Sequence, residues 1–372
     1  MVMFNEIKVL IWCMGDRGAF FAQKMLLYPV ESIKVIGFTD TKVTDQGTFY
    51  GYPVYSLGEL EELLFDYIVI ACDDDNARKE IKSWIIQRLK GNFNIVDYKK
   101  MLDIVRTRRI IQKYEGSEDV EIKETVEWLK KHSISVRNQR ENSKRIMYEV
   151  LNDELNGDFP YVHFMGKRMY FPKNYNFIIE NDKRYLTNIV ENDQYDGSPH
   201  LYIHDKHRIE RNDVIVDAGV AEGNFALSYI DIVSKIYLIE SSESWLEALQ
   251  LTFAPFKDKV ILVPKMLSDE DTNNSITLDT LLQDNKVNFV KMDIEGAETG
   301  ALLGGINTLK KNDVKLSICA YHRQRDAEYI RFILESLGYK VSYAQGYMFF
   351  LYDNNIDETL DFRHGVIYGQ KV

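Results

Sequence analysis

The chain is short of cysteine, of basic charge and of long apolar runs, and each shortage excludes a class of protein. Its 372 residues hold only three cysteines, Cys13, Cys72 and Cys319, each inside or beside a strand-like apolar run. That usage fits buried reduced thiols better than a disulfide framework or a cysteine metal cluster. Acidic residues outnumber basic ones 57 to 46, for a formal charge of -11. Nucleic-acid binders usually present net basic surface, so no nucleic-acid partner is expected. No apolar run approaches the roughly 20 residues of a membrane span. The N-terminal MVMFNEIKVLIWCMG carries Glu6 where a secretory leader would carry lysines, and the expected compartment is cytoplasmic. Repeats and low-complexity segments are also missing.

With 45% hydrophobic and 28% charged residues, the composition is that of an ordinary globular protein, and the length suits two domains. Three segments are expected: an α/β domain over 1–100, a helical linker over 101–157 and a larger α/β domain over 158–372. In the first, KVLIWCMG reads as a buried strand, GDRGAFFAQKML as a glycine turn opening a helix, and SIKVIGFTD as a second strand ending in Asp40. YIVIACD and FNIVDY add two more. Strand, glycine turn, helix, strand and terminal acid is the pattern of a nucleotide-binding unit. However, the turn Gly15-Asp16-Arg17-Gly18 lacks one glycine of the dinucleotide fingerprint, and Asp16 would repel a pyrophosphate. A turn that only packs helix on strand explains it equally well. The stretch resembles the small Rossmann-like domains of sugar-modifying enzymes, which can hold a nucleotide sugar.

The linker segments RTRRIIQKYEG, VEIKETVEWLKKH and NQRENSKRIMYEVLNDELNG read as charged helices, with Arg106, Arg108 and Arg109 on a solvated face. YVHFMGKRMYFP then alternates around Gly166 like a hairpin, either a lid or a lead-in to the next domain.

In the larger domain the strand ends carry the chemistry. VIVDAG, KIYLIE, VILVPK, NFVKMD and KLSICAYH read as five strands separated by helices, the arrangement of a doubly wound parallel sheet. Ligands bind such sheets at the carboxyl ends of the strands. The residues there include Asp217, Glu240, Asp293 and His322. No lysine follows Gly223 as a P-loop requires, and an aspartate precedes the glycines, unlike a dinucleotide turn. Anionic phosphates are therefore poor ligands here. A cation with an adenosine tail suits the acids better, with Gly219 and Gly223 admitting the backbone and Glu240 accepting both ribose hydroxyls. S-adenosylmethionine is such a ligand. The alternative is that each acid merely caps the following helix. The C-terminal YMFFLYD and FRHGVIYG read as a closing antiparallel pair.

The segments SPHLYI, DAGVAEGNF, ITLDTLL and FVKMDIEGAE resemble the FkbM family of S-adenosylmethionine-dependent methyltransferases over roughly residues 160–372. The resemblance implies a class I methyltransferase fold, Rossmann-like and doubly wound. It also implies O-methylation as the reaction and a sugar, glycan or secondary-metabolite hydroxyl as acceptor. Ala221 and Glu222 stand where a third glycine is common. Carried onto this chain, the family's cofactor site comprises Asp217, Gly219 and Gly223 at the methionine end, together with Glu222 and Asn224. It continues with Glu240 at the ribose, Ser268 with Asp269 near the adenine, and Ser241 and Asp293. Glu295, Tyr321 and Tyr202 face the acceptor.

Methyl transfer needs alignment of the acceptor oxygen and removal of its proton. His322 is the leading base, with Asp293 its rival; a structural histidine is the alternative. Glu298 is either a helix-start acid or a catalytic group. A hard divalent ion on Asp293, Glu295 and His322 is less well supported by the spacing, and no metal is expected. Tyr185, Tyr195, Tyr202, Tyr321 and Tyr347 could flank a sugar ring, or simply pack. The expected partners are a small-molecule, sugar or nucleotide-sugar acceptor and a second copy of the chain in a homodimer. The competing hypothesis is a nucleotide-sensing regulatory protein with an inactive methyltransferase-like domain.

Overall fold

The computed structural model describes residues 4–43, 47–136, 146–187, 189–283 and 285–371. The chain divides into two compact units, Met1–Ser135 with Asn354–Asp361, and Val136–Asp353 with Phe362–Val372. Among the described residues no helix is long and apolar enough to cross a membrane.

The first unit is built on a six-stranded sheet in the order Gly47–Phe49, Tyr52–Tyr55, Ile33–Thr39, Ile7–Trp12, Tyr67–Ile70, Asn94–Asp97. Its central strand buries Val9, Leu10, Ile11 and Trp12 completely, because helices cover both faces and leave no side of the strand to solvent. Helix Asp16–Leu27 follows at once, and Gly18 explains how it can lie so close. A Cβ there would sit 2.1 Å from the Cys13 carbonyl oxygen, so the second glycine of the turn serves helix-on-strand packing. The strand-end acids are engaged within the unit. Asp40 Oδ2 accepts the Met14 amide at 3.1 Å, and Asp73 takes Tyr98 Oη at 2.9 Å and the Arg17 guanidinium.

The expected linker is not a separate segment. Helices Tyr98–Tyr114 and Val120–Leu129 belong to the first unit, and the longer one buries an apolar stripe including Met101, Leu102, Val105, Ile110 and Ile111. The arginines expected on a solvated face also have partners far away in sequence. Asp357 accepts Arg106 Nε at 2.6 Å and Lys24 Nζ at 2.7 Å, while Arg109 donates to the Asp357 carbonyl at 2.7 Å. Arg108 donates to the carbonyls of Asn5 and Ser32. These bonds secure Asn354–Asp361 within the unit. Residues 138–145, part of the third stretch expected as helix, lie outside the described residues. The remainder of that stretch forms strands Tyr148–Glu149 and Leu151–Asp153 instead, since the latter finds an antiparallel partner in Phe159–Phe164.

The second unit has a seven-stranded sheet in the order Val260–Val263, Lys235–Ile239, Val214–Ala218, Phe289–Met292, Lys315–Cys319, Val366–Lys371, Tyr339–Tyr343. The first five are parallel, and Val366–Lys371 runs antiparallel to both its neighbours. This is the Rossmann-like order of a class I methyltransferase, with apolar clusters on both faces. The closing pair differs from the expected one. Tyr339–Tyr343 takes the edge beside Val366–Lys371, reached from helix Asp326–Ser336 through a turn with Gly338 at φ 82°. YMFFLYD makes only an isolated bridge, Met348 to Arg363. The hairpin Phe159–Phe164 and Lys167–Tyr170 forms around Met165 and Gly166, both at positive φ as a two-residue hairpin turn demands. It packs on helix Glu243–Phe253, where the Tyr170 amide donates to Thr252 Oγ1 at 2.9 Å, so it is a fixed layer and not a lid. The three cysteines are free, with Cys319 buried and Cys13 and Cys72 only half-buried.

Candidate functional site

A cavity of about 750 Å³ opens at the carboxyl ends of the parallel strands, within the range of small-molecule sites. Two glycine positions shape its approach. Gly219 sits at φ 75°, and a Cβ there would lie 1.7 Å from the Asp293 carbonyl oxygen, so only glycine lets these two neighbouring strand ends come so close. Gly223, at φ 80°, faces away. A Cβ on it would meet the Phe253 ring at 2.9 Å, and its role is to bring helix Asn224–Tyr229 against helix Glu243–Phe253.

The acids at the strand ends separate into floor and wall. Asp217 is fully buried beneath the cavity and does not line it. The sheet register sets Asp217 beside Lys291 on the adjacent strand, and Lys291 Nζ lies 3.0 Å from Asp217 Oδ1. Burial pushes the Asp217 carboxyl up, opposed by Lys291; burial pulls Lys291 down, but Asp217 and Asp293 outweigh it and leave the ammonium raised. Lys291 Nζ also donates to the Gly219 carbonyl at 2.6 Å, bracing the turn. Glu222 likewise lies outside the lining. Its Oε1 accepts the Val190 amide at 3.0 Å, and burial raises its pKa. Ser268 and Asp269 are displaced too, because the third strand ends at Val263 and the chain then brings Lys265, Met266 and Leu267 past the opening. The Ser268 carbonyl is instead packed against Gly304.

Gly219, Asn224, Glu240, Ser241, Asp293, Glu295, Tyr202, Tyr321 and His322 all line the cavity. Glu240 is oriented by two backbone amides, Ala221 to Oε2 at 3.1 Å and Ser242 to Oε1 at 2.8 Å. Asp293 is held by two phenols, Tyr202 Oη to Oδ2 at 2.7 Å and Tyr321 Oη to Oδ1 at 3.1 Å. His200 Nε2 and His322 Nε2 each lie 3.5 Å from it. Burial disfavours the Asp293 charge, but His200, Lys291 and His322 more than offset this and hold the carboxyl well below its usual range. The same burial, with Asp293 adjacent, keeps the Tyr202 phenol protonated far above its ordinary pKa.

His322 is buried and its imidazole is addressed on both sides. Nδ1 lies 3.0 Å from Glu298 Oε1, and that fully buried carboxylate also accepts the Ile294 amide at 3.0 Å. Nε2 faces Asp293 and, at 3.6 Å, Glu295 Oε2. Burial lowers the histidine's pKa, but Glu298 first and then Asp293 and Glu295 reverse this and raise it. Arg363 fixes the local backbone by donating to the carbonyls of Tyr321 and His322 at 2.9 and 3.1 Å.

Residues 168–341 match the Methyltransferase FkbM domain, and residues 5–96 match the C2185-like N-terminal domain. The second unit carries a methyltransferase domain of the FkbM family. Among solved structures, the chain is similar to a methyltransferase FkbM from Methylobacillus flagellatus KT at 17% identity, covering 98% of this chain and 90% of that one, with a TM-score of 0.43. It is also similar to a precorrin-6y C5,15-methyltransferase from Geobacter metallireducens GS-15 at 17% identity, with coverage of 45% and 84% and a TM-score of 0.32. A third, the magnesium protoporphyrin IX methyltransferase of Synechocystis PCC 6803, is 12% identical, with coverage of 43% and 71% and a TM-score of 0.29. No curated protein matches the chain.

Several residues of the FkbM domain's cavity escaped the sequence reading. His200 lies in SPHLYI, two positions before Tyr202, and its Nε2 is 3.3 and 3.2 Å from the hydroxyls of Tyr202 and Tyr321. Trp245, Lys265, Met266 and Phe350 also line the space, whereas Tyr185, Tyr195 and Tyr347 do not. Asp293, Glu298 and His322 offer metal-ligand atoms within 4.8 Å of one another, as do His200, Asp293 and Cys319. In the first set His322 Nδ1 faces Glu298 and Nε2 faces Asp293.

Proposed function

We propose that the FkbM domain methylates a hydroxyl of a sugar, glycan or secondary metabolite with S-adenosylmethionine as donor. The observation that carries this reading is His322, with Nδ1 on a buried carboxylate and Nε2 toward the cavity beside Asp293. The residues present fit the cofactor. Glu240, with both oxygens already oriented by amides, has lone pairs left for two vicinal ribose hydroxyls. Ile239, Trp245, Met266 and Leu267 supply apolar surface for a purine, and the Asp293 carboxylate suits a cationic neighbour. Bound there, S-adenosylmethionine supplies an activated methyl group.

The chain's own task is to position the acceptor oxygen and take its proton. Glu298 Oε1, 3.0 Å from Nδ1, favours the tautomer protonated at that nitrogen, which leaves the lone pair on Nε2, the nitrogen that faces the cavity. Nε2 accepts the hydroxyl proton, and the resulting imidazolium lies between Glu298 and Asp293, which stabilise its charge. Asp293 stays ionised and does not compete for that proton, since Tyr202 and Tyr321 both donate to it. The first test is calorimetry of the full chain with S-adenosylhomocysteine. One site per chain supports the reading, and no binding at all would sink it.

A further inference from the structure

The acceptor side of the cavity is acidic. Asp293 and Glu295 line it, and the two lysines of the lining are engaged elsewhere: Lys291 with Asp217 and the Gly219 carbonyl, Lys265 with the Thr272 carbonyl at 2.9 Å. Among the described residues no arginine lines the cavity. One wall is aromatic. Phe350 stands 5.3 Å from Tyr321 and 5.6 Å from Tyr352, centroid to centroid.

Glu295 is the residue that packing does not explain. Its side chain is 86% exposed, so it contributes little to the core. Its backbone sits at φ 56°, in the left-handed region that disfavours a glutamate, with Gly296 at φ 92° next to it. The 3.6 Å to His322 Nε2 is too long for a hydrogen bond, so the turn and not a bond keeps this carboxylate at the cavity. A phosphate entering beside Glu295 would meet two carboxylates first, with the Arg323 guanidinium outside the lining against Gly296 and Lys265 beside the surface assigned to the purine, whereas an ammonium would meet a carboxylate already in place.

Building on the methyl-transfer reading, we infer that the acceptor presents an ammonium to Glu295 beside its reacting hydroxyl and brings no phosphate into the cavity. Amino sugars and amino alcohols fit this description; nucleotide-linked sugars do not. The aromatic wall of Tyr321, Phe350 and Tyr352 then takes the apolar face of the acceptor ring.

The test uses the full chain saturated with S-adenosylhomocysteine at pH 7 and three probes: methyl glucosaminide, methyl glucoside and UDP-glucose. Saturation-transfer NMR with competition should show the amino glycoside binding roughly two- to fivefold tighter than the neutral one, the scale of a solvent-exposed ion pair. UDP-glucose should not compete. Glu295→Gln should erase the amino preference while S-adenosylhomocysteine affinity holds. The inference is overturned if UDP-glucose binds as well as the glycosides, or if neither glycoside binds. It is also overturned if Glu295→Gln shifts only the NMR titration of His322 and leaves the amino preference intact, since Glu295 would then serve the histidine alone. Failure of S-adenosylhomocysteine to bind would overturn the methyl-transfer reading, and this inference with it.

Discussion

The strands Ile7–Trp12 and Val214–Ala218 each lead their unit's sheet and each run into a turn with two glycines, Gly15 and Gly18 in one, Gly219 and Gly223 in the other. Acids follow at neighbouring strand ends in both. In the first unit Asp40 and Asp73 are engaged by an amide, a guanidinium and a phenol. In the second, Glu240, Asp293 and Glu295 face a cavity of about 750 Å³. A glycine turn with strand-end acids is thus a signature of parallel-sheet topology, and chemistry appears only where carboxylates are oriented from behind and left open in front. Gly18 and Gly223 serve packing, whereas Gly219 lets two neighbouring strand ends approach closely at the cavity.

The contrast is broken or sharpened most severely at the base. His322→Ala should lower methyl transfer by a factor on the order of 10² to 10⁴, the usual contribution of general-base catalysis. S-adenosylhomocysteine affinity should stay near wild type by calorimetry. Equal loss of both would make His322 a structural residue, like the engaged acids of the first unit. Asp293→Asn should impair binding and turnover together, because that carboxylate lies between Lys291, His200 and His322.

The next largest effect is on stability. Asp217→Asn removes the carboxylate 3.0 Å from buried Lys291 and should cost about 3 to 5 kcal/mol, the range for breaking a buried pair. Asp73→Asn, which removes a partly exposed carboxylate from the first unit, should leave the denaturation midpoint of the second unit unchanged. Urea unfolding followed at tryptophan and by circular dichroism measures both. Similar losses in the two variants would erase the distinction between floor and surface. Smaller again, Glu240→Ala should weaken S-adenosylhomocysteine binding by about 1 to 3 kcal/mol, the cost of unmet polar partners. Unchanged affinity would move the ribose away from Glu240.

The five parallel strands of the second sheet were legible because each is a continuous apolar run, four of them ended by an acid or a histidine. Which acids face the cavity was not. Asp217 and Asp293 read alike at the ends of VIVDAG and NFVKMD, and only the register reveals that Asp217 is paired with Lys291. Glu222 follows the cavity-lining Ala221 in sequence, yet it turns toward Val190, a contact 32 positions away. His200 was missed for the converse reason. It lies on no named strand, and it reaches Asp293 only because the segment before the sheet folds back over the strand ends. Long-range packing of this kind leaves no local periodicity to read.

The finest test concerns Glu298, which the sequence alone left between helix-start acid and catalytic group. Its Oε1 is bound to the Ile294 amide and lies 3.0 Å from His322 Nδ1. Glu298→Gln keeps an acceptor oxygen but removes the charge that, more than Asp293 or Glu295, raises the histidine's pKa. A base must be neutral to accept a proton, so wild-type kcat/KM should rise with pH through the raised histidine pKa. In the variant that limb should move to lower pH, with a modest fall in the high-pH plateau because a less basic imidazole accepts protons less readily. Stability should follow the same linkage. A histidine whose folded pKa exceeds its unfolded value of about 6.5 stabilises the fold below that pH and loses the contribution as pH rises through the folded pKa. Wild type should therefore exceed Glu298→Gln in stability most in mild acid, and the gap should narrow toward alkaline pH. A rate limb that stays in place while stability shifts would show that Glu298 holds His322 without tuning the titration that governs transfer, and the proton would then have to leave by another group.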